Sequence, residues 1–198
     1  MSVLDLNQKV YLQVLTGRIL GKYILRDLNK VGFITLNNTL CTALAASTEA
    51  SFIENSNGLI KHFIYEEKET DIISEIKKSK LQTTVILLDG ETNKDRLTEI
   101  TKDLLKEFSE NSIETDIILN EKIYSCGSLT NALTNKKIAS YLSIMNNIFL
   151  YSFDLKNGFL IFYSIETGNS QIQLKEVEKY GLTFEHTNLL IKNSEIKQ

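Results

Sequence analysis

Two carboxylates, Asp89 and Glu91, stand where an α/β protein commonly binds a ligand. They follow residues 83–88, an uninterrupted run of β-branched residues and leucine that predicts a strand buried on both faces. Ligands bind at the carboxyl ends of such strands, where an acidic side chain can hold a metal ion or a hydroxyl group. The competing interpretation is structural, because Asp-Gly favours a turn and an aspartate stabilises a helix N-terminus. Asp89 and Glu91 are therefore the catalytic candidates, set against a plain turn.

The chain has two histidines and two cysteines, the residue types that often act as base and nucleophile. His62 falls within a predicted strand, and His186 lies near the end of the sequence. Cys41 and Cys126 are far apart and in no CxxC context, so a catalytic Cys–His pair would have to form through tertiary contacts. We interpret the histidines as surface or cross-strand residues and the two thiols as typical of a reducing compartment.

The segment 17–23, Gly-Arg-Ile-Leu-Gly-Lys-Tyr, has some features of a phosphate-binding loop. The spacing is one residue short, and Tyr23 stands where a serine or threonine would reach magnesium. We therefore predict a turn or bulge here. The chain contains no GxGxxG, GxSxG or HExxH motif, so the signatures of dinucleotide binding, acyl transfer and metalloprotease chemistry are missing. No cofactor and no metal ion is predicted, and the sequence favours a non-enzyme without deciding the question.

Aromatic side chains concentrate in two predicted strands near residue 150. Phe149, Tyr151, Phe159 and Tyr163 are the candidates for an interface, because aromatic residues on the outer face of a sheet suit protein contacts. A platform for single-stranded nucleic acid would need interleaved arginine or lysine, and only Lys156 is near. The pattern therefore predicts a protein partner or self-association, and it argues against nucleic acid.

The composition is that of an ordinary globular protein. The 198 residues are 42% hydrophobic and 24% charged, and the net charge of −3 is not that of a nucleic-acid-binding surface. The sequence contains no run of 18 apolar residues, so no membrane span is predicted, and residues 1–9 do not resemble a signal peptide. We expect a soluble protein in the cytoplasm.

The elements that would position these residues are predicted from hydrophobic periodicity. Short strands are expected at 10–15, 20–25 and 32–36, and Asn38 or Thr39 would cap the next helix. Asn57-Gly58 between apolar runs predicts a first hairpin, and residues 148–154 and 159–165 predict a second one across Asn157-Gly158. Amphipathic helices are predicted at 94–109, capped by Thr92 or Asn93, and at 128–146. Residues 122–125 and 183–184 are further strand candidates.

These elements predict an α+β fold of antiparallel β-hairpins with two long amphipathic helices packed on the sheet. We expect one domain over residues 1–198, with 109–115 as the place where two small modules would divide. The leading functional hypothesis is a non-catalytic interaction, regulatory or assembly component of a larger complex, such as an adaptor or oligomer subunit. The alternative is a small α/β enzyme or a nucleotide- or metal-responsive domain with its site at the end of strand 83–88.

Overall fold

In the part of the chain that the structure describes, seven strands form one sheet, in the order β2-β1-β3-β4-β5-β6-β7. A computed structural model describes residues 4–66, 72–88, 92–145, 147–168 and 171–194. Strands β1 to β5 are parallel to one another, and β6 and β7 continue the sheet in antiparallel pairing. The strands are β1 (Lys30–Leu36), β2 (Leu59–Tyr65), β3 (Thr83–Leu87), β4 (Asp116–Asn120), β5 (Ile148–Asp154), β6 (Phe159–Gly168) and β7 (Gln171–Gly181).

Helices cover both faces of this sheet. They are α1 (Leu6–Ile19), which continues into a π-helical turn (Leu20–Ile24), α2 (Thr39–Asn55), α3 (Ile72–Ser79), α4 (Lys94–Glu110), α5 (Glu121–Ser125), α6 (Ser128–Ala132), α7 (Lys136–Ile144) and α8 (Phe184–Ser194). Successive side chains of a strand point to opposite faces. In β1, Phe33 packs in the core under α2, and Ile34 packs in the core under α3, α4 and α7. Helix α8 closes a smaller apolar cluster against α1, where Leu190 meets Leu12.

The predicted fold class is wrong, because most of the sheet is parallel and α-helices connect its strands. The error starts at Asn57-Gly58, where the sequence predicted a hairpin. The preceding residues belong to the long helix α2, and the strand that follows pairs with β1 in parallel. Gly58 does not have a positive φ. It is needed for a close approach instead, since a Cβ there would lie 2.4 Å from the Phe52 ring.

The strands predicted at 10–15 and 20–25 are wrong for a related reason. Both segments are helical, in α1 and the π-helical turn. Gly17 and Gly21 are the contact points with α2: a Cβ on Gly17 would lie 2.7 Å from the Leu44 carbonyl oxygen, and one on Gly21 would lie 2.4 Å from that of Thr48. The glycines that suggested a turn therefore permit two helices to cross closely.

Other local predictions are confirmed by the strand pairing and helix bounds. The run 83–88 is the buried central strand β3, and the apolar stripe at 94–109 is α4, capped by Asn93. The second hairpin joins β5 and β6, with Gly158 at φ 70°.

The helix predicted at 128–146 is broken into α6 and α7, because Asn135 caps a new helix. The segment 122–125 is helical rather than extended, and Phe184 begins α8, with Thr183 just before it.

The continuous sheet supports the prediction of one domain, which stays a proposal. The division suggested at 109–115 covers the end of α4 and the loop before β4, and β3 pairs directly with β4, with Thr83 opposite Asp116. Among the described residues, none of the helices combines the length and the apolar character needed to cross a membrane.

Candidate functional site

The strand order creates a crevice at the carboxyl ends of β1 and β3. These strands are neighbours, but the chain leaves them on opposite faces: α2 follows β1 on one face, and α4 follows β3 on the other. Because the two helices diverge, the sheet edge between them is not covered by a connection. Open α/β sheets bind their ligands at such a switch point.

A cavity of about 660 Å³ lies at this edge, within the usual size range of small-molecule sites. Its lining combines apolar side chains, an aromatic ring, short polar side chains and one cation. The residues are Leu6, Leu36, Asn38, Thr39, Leu40, Tyr65, Thr92, Asn93, Arg96 and Ile100. They come from α1, β1, α2, β2, the segment before α4, and α4 itself, so residues far apart in the sequence meet here through the strand order and the packing of α1.

Two helices begin at the cavity, and an asparagine caps each of them. The Asn38 Oδ1 atom accepts a hydrogen bond from the backbone N–H of Cys41 at 2.9 Å, at the start of α2. The Asn93 Oδ1 atom accepts one from the backbone N–H of Arg96 at 2.8 Å, at the start of α4. Each α-helix leaves several first-turn N–H groups without an intrahelical acceptor, and its N-terminus carries partial positive charge. Both helix ends therefore favour an acceptor or an anion in the cavity.

Arg96 and Lys122 add full positive charges to this edge. Arg96 lines the cavity, its side chain is 33% exposed, and one of its terminal nitrogens lies 2.9 Å from Glu99 Oε2. Lys122, on α5, donates a hydrogen bond from Nζ to the carbonyl oxygen of Thr92 at 3.0 Å. That bond ties the turn after β4 to the cavity wall. Burial raises the pKa of Tyr65, and the nearby Asp103 carboxylate adds to this effect, so the phenol stays neutral.

The carboxylates singled out from the sequence, Asp89 and Glu91, lie outside the described residues. Strand β3 runs toward the cavity, and Thr92 and Asn93 on the far side of these two positions line it. The assignment of Asp89 and Glu91 stays a prediction. The sequence did indicate the caps Asn38 and Asn93, but it gave no sign that Tyr65 and Arg96 would meet them, since that depends on the strand order.

The aromatic interface candidates lie on β5 and β6 and do not line the cavity. Tyr151 is only 2% exposed. Phe149 is half-buried and stacks on Phe162, with 4.9 Å between ring centroids. Phe159 lies 5.3 Å from the Lys179 ammonium, and burial raises the pKa of the half-buried Tyr163. Their role as an interface stays a prediction.

His62 lies between Glu49 and Thr35 in an arrangement that resembles a catalytic triad, with a hydrogen bond to Thr35 and an ion-pair distance to Glu49. Its Nδ1 atom lies 2.9 Å from Glu49 Oε1, and its Nε2 atom lies 2.8 Å from Thr35 Oγ1. A nucleophile must reach its substrate, yet Thr35 is 1% exposed and lies on a strand paired on both sides. The backbone amides that could form an oxyanion hole are thus used in the sheet. The chain of contacts links β1, β2 and α2 structurally.

His186 is buried on α8, whereas a surface or cross-strand position was expected for it. The residue is 1% exposed, and its Nε2 atom lies 3.1 Å from Thr16 Oγ1. Neither cysteine forms a disulfide: Cys41 is buried and Cys126 is half-buried. Among the described residues, no group of three or more His, Cys, Asp or Glu side chains could hold a metal ion.

Three solved structures of ABC transporter solute-binding proteins have similar folds. One from Rhodopseudomonas palustris BisB5, in complex with 3,4-dihydroxybenzoic acid, has a TM-score of 0.56 at 10% identity and covers 87% of this chain and 66% of its own. One from R. palustris in complex with 4-hydroxybenzoate has a TM-score of 0.55 at 8% identity, with the same coverages of 87% and 66%. One from R. palustris HaA2 in complex with p-hydroxybenzoic acid has a TM-score of 0.54 at 8% identity, again covering 87% and 66%.

This chain therefore spans slightly less than two thirds of the length of these neighbours. No curated protein matches the sequence. A family model described as "Uncharacterized protein" matches residues 9–189.

The shared fold overturns the leading functional hypothesis and its runner-up. The interaction, regulatory or assembly role, with its adaptor and oligomer wording, rested mainly on the absence of catalytic motifs and on aromatic strands that could offer an interface. The sheet is mostly parallel, in the architecture of solute-binding proteins. The enzyme or nucleotide- or metal-responsive domain is set aside with it.

Proposed function

The chain belongs to the family whose model matches residues 9–189, and we propose that it binds a small organic molecule in the cavity between β1 and β3. The carrying observation is the coincidence of this cavity with the switch point of the sheet. Pockets for small molecules combine apolar walls with a few convergent polar groups. Leucine and isoleucine side chains, the Tyr65 ring and the two helix N-termini supply both here.

Proteins of similar fold that bind small molecules also support this proposal. Their titles describe solute-binding proteins in complex with hydroxylated benzoic acids. At 8 to 10% identity, these similarities show the fold alone. A ligand of comparable size would fit the cavity of about 660 Å³. Asp89 and Glu91, which precede the cavity residue Thr92 in the sequence, remain proposed contributors to the site.

A fragment screen by NMR tests the proposal. The ¹⁵N-labelled full chain is titrated with a set of neutral and charged small aromatic and aliphatic compounds. Binding at the cavity shifts the amide resonances of Thr39, Leu40, Thr92 and Asn93. Thr39→Trp places a bulky ring at the exposed cavity rim and should abolish these shifts. Thr42→Trp is the matched control, since Thr42 is an exposed position of α2 outside the lining. A screen without shifts at these four amides would contradict the proposal.

Location and partners are proposed on separate grounds. The two free thiols support a cytoplasmic, reducing location. The net charge of −3 supports the absence of a nucleic-acid partner. A protein partner remains a proposal that rests on the aromatic residues of β5 and β6. Fractionation followed by immunodetection tests the location, and heparin retention at low salt tests the charge argument.

A further inference from the structure

Positive charge at the cavity is already engaged within the protein. Arg96 lines the cavity, and its Nη1 atom donates a hydrogen bond to Glu99 Oε2 at 2.9 Å, so the guanidinium has an anionic partner. The helices α2 and α4, which begin at the cavity, each have 17 residues, and their N-termini contribute partial positive charge. These helix ends favour a hydrogen-bond acceptor on the ligand, which can be an uncharged oxygen.

Carboxylates on α4 contribute negative charge to the same region. Burial raises the pKa of Tyr65, and the charge of Asp103 is the next cause; Arg96 opposes the shift, whereas Glu99 and Glu107 add to it. The three carboxylates are spaced four residues apart, so they follow one side of α4. The Tyr65 phenol, which lines the cavity, therefore faces acidic groups as well as the guanidinium.

Neither sign of charge on a ligand matches this balance. An ammonium group would meet the Arg96 guanidinium and the two helix N-termini. A carboxylate would compete with Glu99 for Arg96 beside the acidic side of α4, and the sequence has two more carboxylates, Asp89 and Glu91, directly before the cavity residue Thr92. Taking an ion out of water without a matching partner costs much more than burying an uncharged group. The charges around the cavity thus favour an uncharged ligand.

Uncharged hydrogen-bonding groups line the cavity and have capacity for a ligand. Among the described residues, the hydroxyl groups of Thr39, Thr92 and Tyr65 find no hydrogen-bond partner. The Asn93 Oδ1 atom caps α4, which leaves its Nδ2 group as a donor. A hydroxyl group both donates and accepts, so this set matches hydroxyl and carbonyl oxygens. Aliphatic side chains supply the apolar wall for the body of the ligand, from Leu6, Leu36, Leu40 and Ile100.

We infer that the ligand is an uncharged organic molecule that carries hydroxyl or carbonyl oxygens. Its oxygens bond with Thr39, Thr92 and Asn93, and its apolar body lies against the leucine side chains and the Tyr65 ring. The inference rests on the proposed function and names the ligand class of that site.

Three phenols that differ in one substituent form the test set. At about pH 7, 4-hydroxybenzyl alcohol is uncharged, 4-hydroxybenzoate carries a carboxylate, and 4-hydroxybenzylamine carries an ammonium group. Each is titrated into the ¹⁵N-labelled full chain at constant ionic strength, and its dissociation constant is read from the shifts of the cavity amides. The alcohol should bind about tenfold more tightly than either ion.

Two variants with matched controls test the contacts. Glu99→Gln removes the anionic partner of Arg96, so the affinity for 4-hydroxybenzoate should rise about tenfold while that for the alcohol changes little. Glu114→Gln, an equal change of charge on the exposed loop before β4, should alter neither affinity. Thr39→Val removes a hydroxyl group at similar side-chain volume and should weaken binding of the alcohol about fivefold. Thr42→Val, at an exposed position of α2 outside the lining, should leave that affinity unchanged.

The outcomes separate this inference from the proposed function. Equal or tighter binding of either ion in the wild type would overturn the ligand class while leaving small-molecule binding intact. So would an unchanged affinity for 4-hydroxybenzoate in Glu99→Gln, equal losses in Thr39→Val and Thr42→Val, or a wider screen whose hits are mostly ions. If no compound of the set or of the screen shifts the cavity amides, the ligand class and the proposed function fail together. Thermal unfolding of each variant confirms that a changed affinity does not come from a misfolded chain.

Discussion

Acid should destabilise this protein through one buried histidine. His186 is 1% exposed, its ring lies edge-on to Phe153 at 5.9 Å, and its Nε2 atom contacts the hydroxyl of Thr16. Burial lowers the pKa of His186 from 6.5 to about 4. Removal from water disfavours the charged imidazolium. The folded protein thus holds His186 neutral at pH values where the unfolded chain already protonates it.

The direction and size of the effect follow from proton linkage. The unfolded chain binds the proton first, so the free energy of unfolding falls as the pH drops from about 6.5 towards 4, and it is unaffected above this window. With a pKa of about 4 in the folded state and 6.5 in the unfolded state, the loss at pH 5 is about 2 kcal/mol. That is a large part of the stability of a typical domain.

Urea denaturation at about pH 5, 6 and 7 measures this loss. His186→Gln removes the titrating group and retains a side chain that can hydrogen-bond to Thr16. The variant should be less stable at pH 7 because of altered packing, but its stability should fall by about 2 kcal/mol less between pH 7 and 5. His62→Gln is the control at the other histidine, and it should retain the loss of about 2 kcal/mol in unfolding free energy that His186 causes between pH 7 and 5. The same pH dependence in the wild type and in His186→Gln would refute the reasoning.

Two further predictions concern helix packing and the cavity wall. Gly21→Ala should lower the free energy of unfolding by about 1 to 3 kcal/mol, measured by denaturation. The reason is that the new Cβ would lie 2.4 Å from the Thr48 carbonyl oxygen. Gly181→Ala is the control, and it should lower the free energy of unfolding much less, because a Cβ there would have nothing within 4 Å. Equal losses in both variants would refute the close crossing of α1 and α2. Lys122→Met should speed hydrogen exchange of the amides around Thr92, because it removes the 3.0 Å bond to the Thr92 carbonyl, and Lys122→Arg should largely restore protection. Unchanged exchange in Lys122→Met would show that this bond does not hold the wall.

Strong local patterns predicted individual elements well. The run 83–88 is short and rich in β-branched residues and leucine, which is typical of a buried strand, and residues 83–87 form one. Helix α4 has a full apolar stripe from Leu97 to Phe108. The hairpin at Asn157-Gly158 has two strands of opposite direction and a glycine with positive φ. In each case the residues that decide the structure are close in sequence.

Long-range contacts explain the failures. Gly17, Gly21 and Gly58 resembled turn residues, but each allows a close approach to α2 or to its Phe52 side chain. The partners of Gly17 and Gly21 are about 30 residues away in the sequence, and Gly58 contacts Phe52 only because residues 39–55 are helical, so periodicity could not reveal these contacts. The N-terminal helix illustrates the same limit, since the residues predicted as strands 10–15 and 20–25 became helical against α2.

The cavity was only partly predictable, for a similar reason. The helix caps follow local rules: the sequence offered Asn38 or Thr39 and Thr92 or Asn93, and the asparagine is the cap in each case. Their proximity depends on β1 and β3 being parallel neighbours with β2 outside them. The sequence predicted a hairpin at Asn57-Gly58, where the helix α2 in fact connects the parallel strands β1 and β2. Without that connection, the switch point between β1 and β3 could not be predicted. The sequence therefore could not predict that Arg96 and Tyr65 line the same cavity.

The central claim is that the edge of the sheet between β1 and β3 binds a small molecule. A crystal structure of the full chain with the tightest compound from the fragment screen tests it most directly. The compound should lie between the N-termini of α2 and α4, in contact with Arg96 and the Tyr65 ring. A well-ordered compound bound elsewhere, with this cavity holding only water, would contradict the claim.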